Sequence, residues 1–358
     1  MIVIGIILGL IYSVALLHAS YLWQRESKKT EEFNVKNYGV TVIIPFRNEA
    51  NNLSVLLNGL LKQSHKKIEI LLINDHSTDD YHKELEQIQD GNWRILDLEE
   101  GEGKKAAIDF GISKAKYNHI LLSDADCTHG HNWVESMLSQ AIKNDLDWLG
   151  GPVNYKTETK FSSFFQSLES AYLVLLSGWL IKLRKPATSN GANIYLKKST
   201  FLEIDGFKGL LKTPSGDDEL LMQKMKKYKK ELSYCFSSDA IVTTSPSENW
   251  NQMINQRRRW ASKLKYNLNY TNWIVAALVF FFHSFIIFNV IYYPILSISL
   301  ILARLLTEYY TANRLFKFFK NDFNIGYFFI SFLLYPLYAI FMATITQVGH
   351  FKWKGRSY

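Results

Sequence analysis

The sequence predicts an α/β domain with a mostly parallel sheet, set between apolar segments long enough to cross a bilayer. Three observations carry this. Short β-branched runs alternate with helical stripes between residues 40 and 123. Residues 1–23 carry no charged side chain, and 273–303 and 324–348 are almost uncharged. Acidic residues follow the apolar runs, at the strand ends where open α/β sheets place their ligands.

The elements follow in order. VTVIIP (Val40–Pro45) is a continuous run of the kind that is covered on both faces, and Pro45 closes it. Residues 49–63 then place Leu53, Leu56, Leu57, Leu60 and Leu61 on one helical stripe. IEILLI (Ile68–Ile73) is a second strand, stopped by NDHSTDD, and WRILDL (Trp93–Leu98) a third. Residues 104–116 read as a helix with Ala107, Ile108, Gly111 and Ala115 on one side, and HILLS (His119–Ser123) as a fourth strand.

The first apolar segment lacks the basic start and small-residue cleavage site of a signal peptide, and Tyr21, Leu22 and Trp23 close it. It reads as an uncleaved anchor. Arg25, Lys28 and Lys29 follow it, which places the next residues in the cytoplasm. The net charge of +8 does not point to nucleic acid, for which no motif appears. Much of it flanks apolar segments, as with Arg257, Arg258, Arg259, Lys263 and Lys265, and suits anionic lipid head groups. Cys127 and Cys235 have no metal-ligand spacing and fit a reduced compartment. The expected layout is an anchor over 1–24, a catalytic domain over 38–270, a membrane region over 271–350 and a basic tail over 351–358.

Glu49 follows the first strand, Asp75 the second, and Asp124 and Asp126 the fourth. Carboxylates gathered at a sheet edge suit Mg²⁺ or Mn²⁺ shared with a phosphate ligand, and a cation would relieve the repulsion between Asp124 and Asp126. Asp79 and Asp80 are expected only to cap the next helix or turn. A dinucleotide site is excluded, because the first turn, FRNEA, has no glycine and GEGKK (101–105) is off position. A Walker P-loop is absent as well.

Seven stretches, in order, resemble the membrane-bound family-2 glycosyltransferases of GT-A fold, the branch with ceramide glucosyltransferases, carotenoid glycosyltransferases and cellulose and hyaluronan synthases. They are VTVIIPFRNEANNLSVLLNGLLKQ, EILLINDHSTDD, GKKAAIDFGISKAK, ILLSDADC, SNGANIYLKKSTFLEIDGF, GDDELLMQKM and QRRRW, spanning about 40 to 260. The resemblance implies a nucleotide-diphospho-sugar transferase fold, Rossmann-like, with transmembrane helices at both ends, in a bacterial plasma membrane. It implies that Pro45, Arg47 and Glu49 cradle the nucleotide, that Asp75 binds the base and that Lys104 lies near the diphosphate. Asp124 and Asp126 match the D-x-D pair that meets the nucleotide-sugar and its metal. Asp217 matches the general base, and Gln256, Arg259 and Trp260 match Q-x-x-R-W on the acceptor and pyrophosphate side. Three positions depart from the pattern: Asn74 and Asp109 exchange acid and amide, and Gly216 replaces the glutamate beside the base, a role left to Asp218 or Glu219.

The implied reaction moves a sugar, with inversion, from a nucleotide-diphosphate sugar to an acceptor hydroxyl. SGDDELL reads also as a helix start with Ser215 as its cap, and Arg257 and Arg258 as interfacial residues, with Arg259 and Trp260 facing the site. SNGAN (Ser189–Asn193) is small enough to let backbone approach the sugar. His129 and His131 decorate a turn, with either one a possible metal ligand but not both. Residues 161–183 read as a buried core helix or an interfacial one, interrupted by Glu169. Residues 273–303 form one tilted helix or a hairpin turning near Asn289 to Pro294, and 304–323 a basic-aromatic interfacial segment. The WKGR ending resembles a cytoplasmic tail, which needs an even number of crossings after Trp260. So few helices favour a lipid or lipid-linked acceptor over polymer export. The alternatives are a processive polysaccharide synthase and an inactive nucleotide-sugar-binding membrane protein.

Overall fold

The computed structural model describes residues 1–29, 33–86, 88, 91–210, 216–262, 269–345, 352–353 and 356–357. Ser215, Lys263, Lys265 and the Lys354–Gly355 portion of the tail motif lie outside the described residues. Two compact units form. One is Ser27–Asn154 with Leu180–Ser245; the other is Met1–Glu26, Tyr155–Trp179 and Pro246–Tyr358.

Helix α1 (Ile2–Ser27) opens the chain. Then come β1 (Val40–Phe46), α2 (Ala50–Leu61), β2 (Ile68–Asn74), α3 (Tyr81–Leu85), β3 (Trp93–Asp97) and α4 (Lys104–Lys114). They are followed by β4 (His119–Leu122), β5 (Cys127–His129), α5 (Trp133–Lys143), β6 (Trp148–Gly150), β7 (Val153–Tyr155) and α6 (Phe161–Lys182). Next are β8 (Ile194–Lys197), α7 (Lys198–Glu203), α8 (Glu219–Lys227), β9 (Leu232–Tyr234) and β10 (Val242–Thr244). The last helices are α9 (Trp250–Ser262), α10 (Tyr270–Asn289), α11 (Pro294–Phe319) and α12 (Ile325–Ile345).

The main sheet of the α/β unit runs β3-β2-β1-β4-β8-β6-β9. The first four strands are parallel, in register Val40↔Ile68 and Val40↔His119. β8 runs antiparallel to both β4 and β6. All seven residues of β1 are buried, which is why the sequence shows a continuous apolar run and no alternation. Val40, Val42 and Ile44 pack with Leu53, Leu57 and Met137, whereas Ile43 meets α4, where a Cβ on Gly111 would fall 2.7 Å from it. β1 extends one residue past Pro45. Pairing with β4 stops at Ile43, so Pro45 removes no ladder bond on that side.

In the other unit, five described helices are long and apolar enough, by length and composition, to cross a bilayer: α1, α6, α10, α11 and α12. Three of them follow Trp260, where the sequence reading expects an even number of crossings. α10 and α11 form the hairpin alternative. Gly5 abuts Phe285 and Leu296, and Gly9 abuts Phe282 and Leu300, so the two helices run back past each other beside α1. Residues 304–319 continue α11 and do not form a separate interfacial segment. The reason is local: Arg304 and Glu308, both nearly buried, pair at 2.8 Å one turn apart, and Tyr12 donates to Glu308 at 2.6 Å. α6 is mostly buried, with Phe164 and Leu168 packed against Ala312, Phe316 and Phe328.

Candidate active site

At the carboxyl end of β2, Asp75 is buried and holds three segments together. Its Oδ1 accepts from Gly103 N at 3.1 Å, its carbonyl accepts from Arg47 Nη1 at 3.0 Å, and His76 Nδ1 lies 3.2 Å from Oδ1. Gly101 and Gly103 adopt φ of +79° and +88°, a region that favours glycine, and their turn delivers Lys104 to the first position of α4. GEGKK is therefore a delivery loop for Lys104. Asn74 is spent on structure: its amide donates to Asp97 at 2.8 Å and its oxygen caps Ser77 N.

Lys104 Nζ lies 2.6 Å from Asp124 Oδ1 and 2.9 Å from Asp217 Oδ2. Burial alone would push its ammonium down, but the two carboxylates outweigh burial and hold it well above the usual lysine range. A cation at a helix N-terminus opposes the helix dipole, so this lysine depends on those carboxylates. Gly191, in SNGAN, forms the wall beside them. A Cβ there would fall 2.7 Å from Asp217 Oδ2 and 2.8 Å from Lys104 Nζ. Asp218 fixes that wall: Oδ2 accepts from Gly191 N at 3.1 Å and Oδ1 caps Glu219 N at 2.6 Å. Asp218 thus serves as the α8 cap and loop anchor. The D-D pair reads from sequence as one motif, and only the loop contact separates the two roles.

Asp126 is exposed, near Thr244 Oγ1 at 3.4 Å, a neighbour invisible in the sequence because β10 comes from 118 residues downstream. Among the described residues no group of three or more His, Cys, Asp or Glu side chains gathers to hold a metal. Asp124 and Asp126 offer hard oxygen donors, and a pair of carboxylates completed by substrate phosphates is the usual way Mg²⁺ is held. The donor set fits such an ion.

The remaining residues take other positions. His129 turns inward: its Nε2 meets Ser123 Oγ at 2.8 Å, Ser123 donates to Ala192 O at 2.8 Å, and the ring lies 4.2 Å from Trp133. Burial pushes it down to about 3. It braces the D-x-D strand against the SNGAN loop and does not face the aspartates. His131 is exposed, with its carbonyl on Ser64 N. Cys127 is a buried thiol raised by burial and by Asp126 and Asp124, hence a neutral filler. Glu49, the residue before α2, accepts from Asn52 of its first turn at 2.6 Å, and Asp79 caps the same helix through Ala50 N at 2.8 Å. Gln256, Arg259 and Trp260 sit on α9 of the helical unit.

Residues 41–207 match the family described as Glycosyl transferase family 2. The chain is 32% identical over 119 residues to glycosyltransferase GlyG of Streptococcus pneumoniae, covering 32% of this chain and 40% of that protein. It is also 32% identical over 150 residues to the poly-β-1,6-N-acetyl-D-glucosamine synthase of Staphylococcus aureus, covering 41% of this chain and 36% of that one. The chain thus spans well under half the length of these curated relatives. The mannosyltransferase PcManGT of Pyrobaculum calidifontis, solved with GDP-Man and Mn²⁺, superposes over 97% of this chain and 99% of its own, with a TM-score of 0.58 at 15% identity. That superposition establishes the GT-A-type fold. The matched segment, 41–207, is just under half of the chain and lies on the strands that carry the Lys104 site, so the chain is similar to glycosyltransferase family 2 over that segment.

Proposed function

We propose that this protein is a membrane-bound inverting glycosyltransferase that moves a sugar from a nucleotide-diphosphate sugar to a hydroxyl of a lipid or lipid-linked acceptor. The observation that carries the reading is Lys104 held between Asp124 and Asp217 at the carboxyl end of the parallel half-sheet.

The roles follow from chemistry. Arg47 and Asp75 border the nucleotide, and the Lys104 ammonium meets the diphosphate, where a cation stabilises the leaving group. Asp124 and Asp126 would hold a Mg²⁺ or Mn²⁺ together with the phosphates; when bound, such an ion supplies further charge stabilisation to the diphosphate. Asp217 takes the proton of the attacking hydroxyl, and Lys104, 2.9 Å away, holds the carboxylate in place. Gln256, Arg259 and Trp260 serve the acceptor and pyrophosphate side. The domain over 38–270 lies on the cytoplasmic face of a plasma membrane, which the basic residues after α1 support.

A second reading, processive polymer synthesis, is favoured by the likeness to a synthase. One experiment addresses both. The full-length protein is incubated with a panel of nucleotide-sugars and extracted membrane lipids, with Mg²⁺, Mn²⁺ or chelator, and products are read by mass. A lipid carrying one sugar supports the first reading, and a ladder of long chains supports the second. Absence of transfer from every donor contradicts both. Full transfer under chelation contradicts the metal role of the aspartate pair.

A further inference from the structure

Between Gln256 and Arg259 on α9 stands Arg257, which sequence reasoning assigns to the lipid interface. The structure places it elsewhere. It is only 5% exposed, and a mostly buried carboxylate from α6 receives it. Arg257 Nε and Nη2 donate to Glu169 Oε2 at 2.8 and 2.6 Å. The other oxygen of Glu169 accepts the Tyr338 hydroxyl of α12 at 2.8 Å. Arg257 Nη1 donates to Gln256 Oε1, and the guanidinium carbon lies 4.3 Å from the centroid of the Trp260 ring. Tyr155 stands behind, its hydroxyl 3.5 Å from Gln256 Oε1 and its ring 6.0 Å from the guanidinium.

A buried ion pair is a poor device for stability alone, since well-packed apolar side chains of similar volume often do as well or better. What apolar packing lacks is direction. The guanidinium is a rigid plane with donors fixed around its rim. Here one edge is clamped by Glu169, a second donor fixes the Gln256 amide and the face supports Trp260. Tyr338 in turn fixes Glu169. Two of the three residues matched to the acceptor-side motif are therefore oriented by the same buried group.

Resting on the proposed function, we infer that Glu169 and Arg257 are positioning residues: they fix the orientation of Gln256 and Trp260, the residues assigned to the acceptor, and Tyr338 secures the carboxylate. Neither needs to touch substrate. Sequence reasoning misses Glu169 because a lone acid in an apolar helix reads as an interruption, and its partner lies 88 residues away.

The test uses the full-length protein in detergent. The emission of Trp260 is isolated by subtracting the Trp260→Phe spectrum, in the parent and in Arg257→Lys and Glu169→Gln backgrounds. Loss of the stack is expected to shift that emission to the red and raise its quenching by acrylamide. In parallel, kcat is expected to fall about a hundredfold in Arg257→Lys, as for a misaimed group remote from the chemistry. The donor KM should stay within about twofold, the signature of an effect on the transition state and not on donor binding. The double variant Glu169→Leu/Arg257→Met keeps packing and removes direction; it is expected to melt near the parent temperature and to remain slow. Unchanged Trp260 emission in both single variants, or parental turnover in the double variant, overturns the inference. If the parent transfers no sugar from any donor, the proposed function falls, and the Trp260 emission still decides whether the pair sets that ring.

Discussion

Lys104 Nζ lies 2.9 Å from Asp217 Oδ2 while the same ammonium stands 2.6 Å from Asp124 Oδ1. One cation thus ties the residue matched to the base to the residue matched to the diphosphate site. Lys104→Met removes the cation that bridges the two carboxylates. Transfer is expected to fall about 10²–10³-fold, the usual cost of one preorganised charge-stabilising donor. Initial rates at saturating donor check this. A rate within threefold of the parent would show that Lys104 has no part in the chemistry.

Gly191→Ala tests the wall of the same site. The added Cβ would fall 2.7 Å from Asp217 Oδ2 and 2.8 Å from Lys104 Nζ, both side-chain tips, so the fold can accommodate it while the ion pairs shift. The expected outcome is a near-parental melting temperature with kcat lower by about a hundredfold. A parental kcat would mean that the wall is not next to the reacting groups.

His129 predicts a pH dependence of stability. Its ring is held neutral by burial, with a value near 3 in the fold against 6.5 when unfolded. The unfolded chain then binds the proton more readily, so the stabilisation is full above pH 6.5 and is lost as pH falls toward 3. Near pH 4.5 the loss is roughly 2–3 kcal/mol. Burial lowers His65 and His119 as well, and they act in the same direction. Melting curves from pH 7 to 4.5 should fall in the parent and fall less in His129→Gln. Identical slopes would remove His129 from the acid sensitivity.

Arg304 and Glu308 make a separate prediction about the helical unit. Breaking a buried pair from one side leaves an unpaired charge, so Arg304→Met is expected to destabilise by about 3–5 kcal/mol. Arg304→Met/Glu308→Leu should recover much of that, since the apolar pair costs no desolvation. Detergent titration of unfolding checks the ordering of the three proteins. A double variant no more stable than the single one would mean that Tyr12 and Tyr172, which donate to Glu308 side chain and carbonyl, depend on the charge itself.

Strands β1, β2 and β4 are legible in sequence because they are buried on both faces, leaving runs such as VTVIIP and IEILLI with no alternation to confuse, whereas the half-buried edge strand β3 is legible from its short apolar run alone. β8, β6 and β9 escape it because they are three or four residues long and pair out of chain order. Asp124, Asp217 and Lys104 are legible one by one through their motifs, but their meeting at a single ammonium is a property of the fold. The Arg304–Glu308 pair defeats charge-counting, which takes any charged residue as the end of an apolar helix; here the two charges cancel one turn apart and α11 continues through them. Arg257 fails for a related reason, since a basic run before an apolar segment reads as head-group contact when its buried partner lies on another helix.

The most direct measurement is single-turnover transfer by Asp217→Asn beside titration of nucleotide-sugar binding to the same variant. The asparagine keeps the shape and removes the proton acceptor. Transfer is expected to fall by about 10²–10⁴-fold, the range of general base catalysis, while nucleotide-sugar binding stays near that of the parent. Turnover at the parental rate, or a loss of transfer that follows only from lost donor binding, would contradict Asp217 as the residue that takes the acceptor's proton.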